Sequence, residues 1–271
     1  MVKQAGEGPD RSPDLGPLDL ALAAPPIDPQ ALERIAARAW PAAQHRALGG
    51  WDLYATDGYS LRINACWPLG DPGLATEAAI EAVEAFYAGL GLATIFKLTE
   101  GATVPGDLGD HLTRRGYARA KETLVMTGPM SEGATDASVT VSNQLDPDFT
   151  AVMAATAPSP EDGAERLAAL NRVAQPRLFA KLVRDDQAAA IGACAVEGAW
   201  AGIFGMRTHP GHRRQGLASQ ILNALLAKAA DHGASAAYLQ VEAKNTGAIA
   251  LYEAAGFKTV YRYFYWEKQA G

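Results

Sequence analysis

Residues 205–219 read GMRTHPGHRRQGLAS, and this stretch decides the fold of the chain. After it, apolar residues recur at helical spacing at Leu217, Ile221 and Leu225, so the pattern predicts a strand, a Gly-containing turn and a long helix. The first N–H groups of such a helix lack internal partners, and the helix dipole places roughly half a positive charge there. With Arg213 and Arg214 beside it, the turn is a predicted phosphate site. The alternative is an ordinary strand-to-helix turn with solvated arginines.

A second block follows at a fixed distance. Residues 238–241 (YLQV) predict a buried strand, and residues 245–257 then read NTGAIALYEAAGF. The order Arg-x-x-Gly-x-Ala from Arg213, followed by Asn-x-x-Ala-x-x-Leu-Tyr-x-x-x-Gly-Phe from Asn245, resembles two linked motifs of the GNAT N-acetyltransferase superfamily. The resemblance covers roughly residues 138–268.

The resemblance implies an α+β fold (mixed α/β), in which a twisted, mixed and mostly antiparallel sheet is flanked by helices. It also implies an acetyl-CoA-dependent N-acetyltransferase that acts on a primary amine of a small molecule or a protein, by direct attack in a ternary complex. Two alternatives remain open. One is a CoA-binding regulatory module without turnover, and the other is an acyltransferase that uses another acyl-CoA or an oxygen nucleophile.

The same resemblance assigns the acyl-CoA site. Asn245 is expected to bind the pantetheine arm, Tyr252 to face the CoA sulfur, and the backbone of residues 206–208 to polarise the acetyl carbonyl. The alternative for Tyr252 is a core aromatic like Phe257. The full expected set is Met206, Arg207, Thr208, Arg213, Arg214, Gln215, Gly216, Leu217, Ala218, Ser219, Asn245 and Tyr252.

The chemistry of amine acetylation requires a base and an acid. An alkyl ammonium has a pKa of about 10.4, so the enzyme must remove its proton, and a phenol of pKa about 10 can protonate a departing thiolate. Tyr252 is the candidate acid. Glu242, just past a predicted strand, is the candidate base, with Glu197 as a second carboxylate; either could be a solvated loop residue. No metal is required.

The first half of the chain repeats the order of the second. Residues 91–116 and 233–256 both predict strand, loop, helix and Gly-aromatic. We therefore expect a flexible leader (1–26), a degenerate GNAT-like domain (27–127), a linker (128–137) and a catalytic GNAT domain (138–271). The turn at 69–73 lacks the Arg-x-x-Gly-x-Ala pattern and carries Asp71, and Leu112 stands near the position that corresponds to Tyr252.

Composition limits the partners. The 271 residues are 48% hydrophobic and carry a net charge of −6, which argues against nucleic acid bound by a broad basic face. No signal peptide or long apolar segment is evident, so a cytoplasmic location without a membrane partner is expected. Cys66 and Cys194 lie in apolar runs and are expected to be buried thiols. No feature determines the oligomeric state or the acceptor.

Local signals predict several elements. A helix is expected from Pro29 to Trp40 with Asp28 as N-cap, and another from Pro160 capped by Ser159. Alternation over 51–54 and 59–67 around Thr56-Asp57-Gly58 predicts a hairpin. The tyrosines at 261, 263 and 265 share one face of a strand, where they either pack against a neighbour or touch substrate.

Overall fold

The computed structural model describes residues 27–131 and 136–268. The predicted leader and part of the predicted linker therefore lie outside the described residues. The first half contains α1 (Pro29–Ala39), β1 (Gln44–Leu48), β2 (Trp51–Ala55), β3 (Cys66–Pro68), α2 (Thr76–Gly89), β4 (Ile95–Thr99), α3 (Leu108–Arg114) and β5 (Tyr117–Gly128). The second half contains β6 (Val139–Ser142), α4 (Pro147–Thr156), α5 (Pro160–Arg172), β7 (Arg177–Arg184), β8 (Gln187–Glu197), β9 (Trp200–Thr208), α6 (Leu217–Ala230), β10 (Ala236–Glu242), α7 (Thr246–Ala254) and β11 (Lys258–Lys268).

Side-chain caps begin the helices where the sequence predicts them. Asp28 accepts a hydrogen bond from the Gln30 amide (3.0 Å), and Ser159 Oγ accepts one from the Asp162 amide (3.2 Å). The predicted pairing is confirmed, since β2 and β3 are antiparallel with Leu53 opposite Cys66, but the second strand is shorter than predicted because residues 61–63 form a 3-10 turn. A further hairpin, which was not predicted, joins β1 to β2, with Gly49-Gly50 between the paired residues Leu48 and Trp51. A Gly-Gly pair is itself a two-residue hairpin signal, which the alternating pattern nearby obscured.

All eleven strands form one sheet, in the order β1-β2-β3-β4-β11-β5-β10-β9-β8-β7-β6. Strands β3 and β4 are parallel, as are β9 and β10, and every other pair is antiparallel. The sheet is therefore mixed and mostly antiparallel, with helices on both faces, as expected.

The two halves exchange strands. Strand β11 lies between β4 and β5, and β5 lies between β11 and β10. The last strand of each half thus completes the sheet of the other half. In the order β4-β11-β5-β10, strands of the two halves alternate, with β4 corresponding to β10 and β5 to β11. The repeated order predicted from the sequence is present as β4-α3-β5 and β10-α7-β11.

The faces of the sheet are covered by different helices. Helix α6 packs on one face through Ile221 and Leu225, and an added Cβ at Gly192 of β8 would overlap Ile221 and Met206. On the opposite face, α4 and α5 cover Phe179, Ile191 and Phe204 of β7 to β9. Helix α1 covers β10 and β11 on that same face. The site described below lies between these two layers.

Two sequence expectations concern bulk properties. Cys66 and Cys194 are both buried, and burial raises the pKa of each thiol, to about 12 for Cys194. In residues 27–131 and 136–268, no helix has the combination of length and apolarity needed to cross a bilayer.

Candidate active site

Strands β9 and β10 separate partway along their length. They pair in parallel from Trp200 opposite Ala236 to Ile203 opposite Leu239, yet β9 continues to Thr208 and β10 to Glu242. The backbone of residues 204–208 and that of residues 240–242 therefore line an opening in the sheet, which we call the wedge. Backbone groups in such an opening have no ladder partner and remain available to a ligand.

A bulge shapes the β9 side of the wedge. Phe204 lies opposite Ala193 and Arg207 opposite Ile191, so two residues of β9, Gly205 and Met206, face the single residue Gly192. Gly205 has φ +62°, a left-handed conformation that favours glycine. The bulge was not predicted from the sequence, although a glycine inside a predicted strand is the usual signal of one.

The predicted phosphate turn follows directly. Gly216 is the N-cap of α6 with φ +76°, Arg214 has φ +61°, and α6 has no acidic residue in its first turn. An added Cβ at Gly216 would meet nothing within 4 Å, so the space in front of the helix is open. Within the described chain, Arg213 and Arg214 have no carboxylate partner, and the amides of residues 214–216 donate to no backbone oxygen. These features fit a diphosphate.

The other predicted residues of the turn divide by burial. Gln215 and Ser219 are exposed, whereas Leu217 is buried in the core beneath α6. Met206 likewise packs toward Ile221 and Gly192. Leu217 and Met206 can therefore offer a ligand only their backbone groups.

Tyr252 of α7 points into the core beneath α6, near Arg207 at the wedge. Its side chain is 8% exposed and its ring centroid lies 6.1 Å from that of Phe257. Burial raises the pKa of Tyr252 to about 12, and the charge of Arg207 opposes this shift only in part. The phenol thus keeps its proton at neutral pH and can donate it.

Asn245 and Tyr252 differ in their surroundings. It is the N-cap of α7, outside the helix proper, and its Oδ1 accepts a hydrogen bond from the Ala248 amide (3.2 Å). Asn245 is exposed, while Tyr252 is buried. The carboxamide nitrogen of Asn245 is left to donate.

The two candidate bases lie at opposite ends of the sheet. Glu242 ends β10 at the wedge, pairs with Lys244 (3.0 Å) and lines a cavity of about 210 Å³ together with Lys121 and Glu122. Glu197 lies at the turn between β8 and β9, away from the wedge, where Arg38 binds it at 2.5 Å. Glu242 therefore remains the candidate base, and Glu197 is a surface ion-pair partner.

Arg207 was expected to contribute only its backbone groups, but its side chain lies near both Tyr252 and Glu242. Its Nη1 donates to the Met206 carbonyl (3.3 Å), and its Nε is buried without a partner. Burial and the neighbouring Arg166 lower the pKa of Arg207, while Asp162, Tyr252 and Glu242 raise it. The Arg207 guanidinium is thus close to both Tyr252 and Glu242, so both residues lie near the wedge.

A known family matches almost the whole described chain. The family described as "Probable histone acetyltransferase Rv0428c C-terminal" matches residues 28–266. The chain belongs to this family. It is a GNAT-type N-acetyltransferase, as the relatives and structures below also indicate.

Two curated relatives resemble this acetyltransferase to different extents. The "Uncharacterized N-acetyltransferase YobR" of Bacillus subtilis is 26% identical over 247 residues, which cover 88% of the present chain and 98% of YobR. The "[Ribosomal protein bS18]-alanine N-acetyltransferase" of Salmonella typhimurium is 36% identical over 87 residues, which cover 31% of this chain and 59% of that protein.

Two solved structures share the fold of the acetyltransferase. A GCN5-related N-acetyltransferase from Kribbella flavida superposes with a TM-score of 0.64 at 17% identity, covering 89% of this chain and 96% of its own. A tandem GNAT protein from the clavulanic acid biosynthesis pathway superposes with a TM-score of 0.58 at 17% identity, covering 92% and 90%.

The first half of this acetyltransferase differs from the second at α2 and α3, the helices that correspond to α6 and α7. There α2 and α3 are joined by ion pairs, in which Arg115 binds Glu77 (2.6 Å), Glu81 (2.7 Å) and Glu84 (3.1 Å). His111 adds a contact to Glu77 (2.6 Å) and lowers the pKa of that carboxyl together with Arg115. No such ion pair joins α6 to α7 among the residues described.

Proposed function

We propose that the enzyme is an acetyl-CoA-dependent N-acetyltransferase that transfers an acetyl group to a primary amine by direct attack in a ternary complex. The observation that carries this proposal is the wedge between β9 and β10, which has Tyr252 and Glu242 near it and the open amino end of α6 beside it. A thioester arm in the wedge would lie between a proton donor and a proton acceptor.

The turn and the bulge would hold the acyl-CoA. Acetyl-CoA supplies the acetyl group as a thioester, which is already activated for transfer. The free amides at the start of α6, together with Arg213 and Arg214, would bind its diphosphate. The backbone of Met206 to Thr208 would donate to the acetyl oxygen, and charge that develops there would be stabilised by fixed dipoles. Asn245 would contact the pantetheine arm through its carboxamide nitrogen.

Glu242 and Tyr252 would move the two protons. Glu242 would take the proton of the acceptor ammonium, directly or through water, because its carboxylate is half-exposed at the end of β10. Tyr252 would donate a proton to the departing sulfur, since its raised pKa keeps the phenol protonated at neutral pH.

The acceptor would be an amine of a small molecule or a protein. The matching family is described as a probable histone acetyltransferase, and the Salmonella relative is named for an alanine of ribosomal protein bS18. In this proposal residues 138–271 carry the chemistry, residues 27–127 are a degenerate copy that supports it, and the enzyme works in the cytoplasm.

An acceptor screen tests the proposed function. Purified enzyme is incubated with acetyl-CoA and a panel of primary amines and peptides, and free thiol release is followed over time. We expect amine-dependent thiol release above the hydrolysis measured without acceptor, together with an acetylated product in the mass spectrum. Thiol release that no amine accelerates would contradict the proposal.

We also expect one acetyl-CoA site per chain. The first half places Asp71 and Pro72 in its turn and fills the gap between α2 and α3 with ion pairs, so it offers neither an anion site nor room for a thioester arm. Calorimetric titration of the full chain should give a stoichiometry near one. Two equivalent sites would show that the first half is not degenerate.

A further inference from the structure

Polar atoms without partners gather on the sheet face opposite α6 and α7, beneath α1. Five of the buried polar atoms that lack a hydrogen bond are Glu33 Oε1, Trp67 Nε1, Thr99 Oγ1, Gln240 Nε2 and Tyr261 OH. Buried polar groups are almost always satisfied, and leaving one unpaired costs about 1–3 kcal/mol. Glu33 and Tyr261 lie close enough to bond each other, so the other three atoms are the ones that point to a polar ligand or to water in the same place.

Contacts show that these atoms belong to one cluster. The Lys97 ammonium pairs with Glu33 and lies over the rings of Trp67 (3.3 Å) and Tyr263 (4.0 Å). Tyr263 in turn donates to Gln240 Oε1 (3.1 Å), and Glu33 is close enough to raise the pKa of Tyr261 after burial has done so. We call this set the buried polar cluster.

Strand register connects the buried polar cluster to the wedge. Gln240 of β10 and Tyr261 of β11 both lie opposite Val125 of β5, so the three side chains share one row and one face. In the next row, Glu242 and Tyr263 both lie opposite Thr123. Gln240 and Glu242 belong to the part of β10 that has separated from β9. The distance from β10, which borders the wedge, to Tyr261 on β11 is therefore two strand spacings, or roughly 10 Å.

The charges of the cluster favour an anionic group. Glu33 and Lys97 neutralise each other, whereas Arg62, which lies close to Tyr263 and Glu33, has no carboxylate within ion-pair distance in the described chain. The three atoms left without a partner can all donate: an indole N–H, a carboxamide N–H and a hydroxyl. A guanidinium with free donors in the same cluster matches a carboxylate.

We infer that the buried polar cluster is the acceptor pocket and selects amines that also carry a carboxylate. The carboxylate would be held near Arg62, Gln240 and Tyr261, which leaves the amine end of a ligand about 10 Å long at Glu242 and the wedge. This inference rests on the proposed acetyl transfer, and it assigns the first half of the chain a role, because Arg62 comes from that half.

A matched substrate series tests the inference. Wild-type enzyme is assayed with ω-amino carboxylates of increasing length and with alkylamines of the same lengths. We expect kcat/KM for the preferred amino carboxylate to exceed that of its matched alkylamine by tenfold or more, since a hydrogen bond to a charged group is worth about 1.5–3 kcal/mol. Equal values for the two series, or a preference for peptides that lack a nearby carboxylate, would overturn the inference.

Two variants test whether Arg62 and Tyr261 produce the preference for amino carboxylates. Arg62→Gln and Tyr261→Phe should each lower kcat/KM for the amino carboxylate about tenfold more than kcat/KM for the matched alkylamine, through KM. Arg114→Gln is the control, because Arg114 is exposed on α3 and bonds only the Asp110 carbonyl. Glu33 and Lys97 are left intact, since removing one partner of a buried pair destabilises the fold. An unchanged preference in both variants would mean that the cluster holds only ordered water.

A binding measurement separates this inference from the proposed function. Calorimetric titration of the same amino carboxylate into enzyme without acetyl-CoA should show binding that Arg62→Gln weakens about tenfold. Such binding would support the pocket even if no amine were acetylated, a result that would count against the transfer chemistry alone. No binding to wild-type enzyme with or without CoA would overturn the pocket.

Discussion

Tyr252→Phe should lower kcat by about 100-fold while the affinity for acetyl-CoA changes little. The substitution keeps the ring that packs near Phe257 and removes the proton that we propose Tyr252 gives to the thiolate. Because burial raises the pKa of Tyr252 to about 12, the phenol stays protonated throughout the working range. Loss of the Tyr252 hydroxyl should therefore lower kcat at every pH below this pKa, without shifting the alkaline limb of the pH–rate profile. Stopped-flow thiol release and calorimetry provide the two measurements.

The matched control for Tyr252 is Tyr59→Phe. Tyr59 is 46% exposed on a loop of the first half, so the same chemical change there should leave kcat unaffected. Thermal unfolding of both variants should stay close to wild type. If Tyr252→Phe retained the full rate at all pH values, water would be the proton donor and Tyr252 only a core aromatic.

Replacing Gly216 should weaken acetyl-CoA binding for two separable reasons. Its φ of +76° costs an L-residue about 1–2 kcal/mol, and the open space before it is where the diphosphate would approach. We expect Gly216→Ala to raise the Kd about tenfold by straining the turn, and Gly216→Val to raise it further. Gly216→Asn tolerates the left-handed conformation but adds bulk, so its Kd reports obstruction alone.

Gly89→Ala provides the control for this series. Gly89 has an ordinary φ in α2, far along the chain from the turn, and an added Cβ there meets nothing within 4 Å. Its variant should bind acetyl-CoA as wild type does. An unchanged Kd for Gly216→Val would show that the diphosphate binds elsewhere.

The sequence predicts the second half well because its signals are local. Caps, the Gly-containing turn and helical periodicity place α5, α6 and α7, and the two motifs assign the superfamily before any pairing is known. The repeat of strand, loop, helix and Gly-aromatic also predicts that the first half has the same order of elements. Each of these features depends on residues within about two helical turns of one another.

Pairing between distant residues was not predictable in the same way. Nothing in 117–128 indicates that this strand will lie beside both β10 and β11, because its apolar pattern is compatible with several neighbours. The buried Glu33–Lys97 pair looks like two surface charges in the sequence, since Glu33 lies on a helix and Lys97 on a strand 64 residues later. Asn245 shows the same limit at shorter range, because the motif match did not reveal that Asn245 is the N-cap of α7 and lies outside the helix proper.

The strand exchange also sets the order in which the nascent chain can fold. Residues 27–127 leave the ribosome first, yet the space between β4 and β5 is filled only when 258–268 are synthesised. Until then β4 and β5 each present an unpaired edge, and such edges invite pairing with other chains. We therefore expect productive folding to be post-translational, with a slow step at the insertion of β11. Ribosome-bound chains that stop before residue 258 should remain protease-sensitive in both halves.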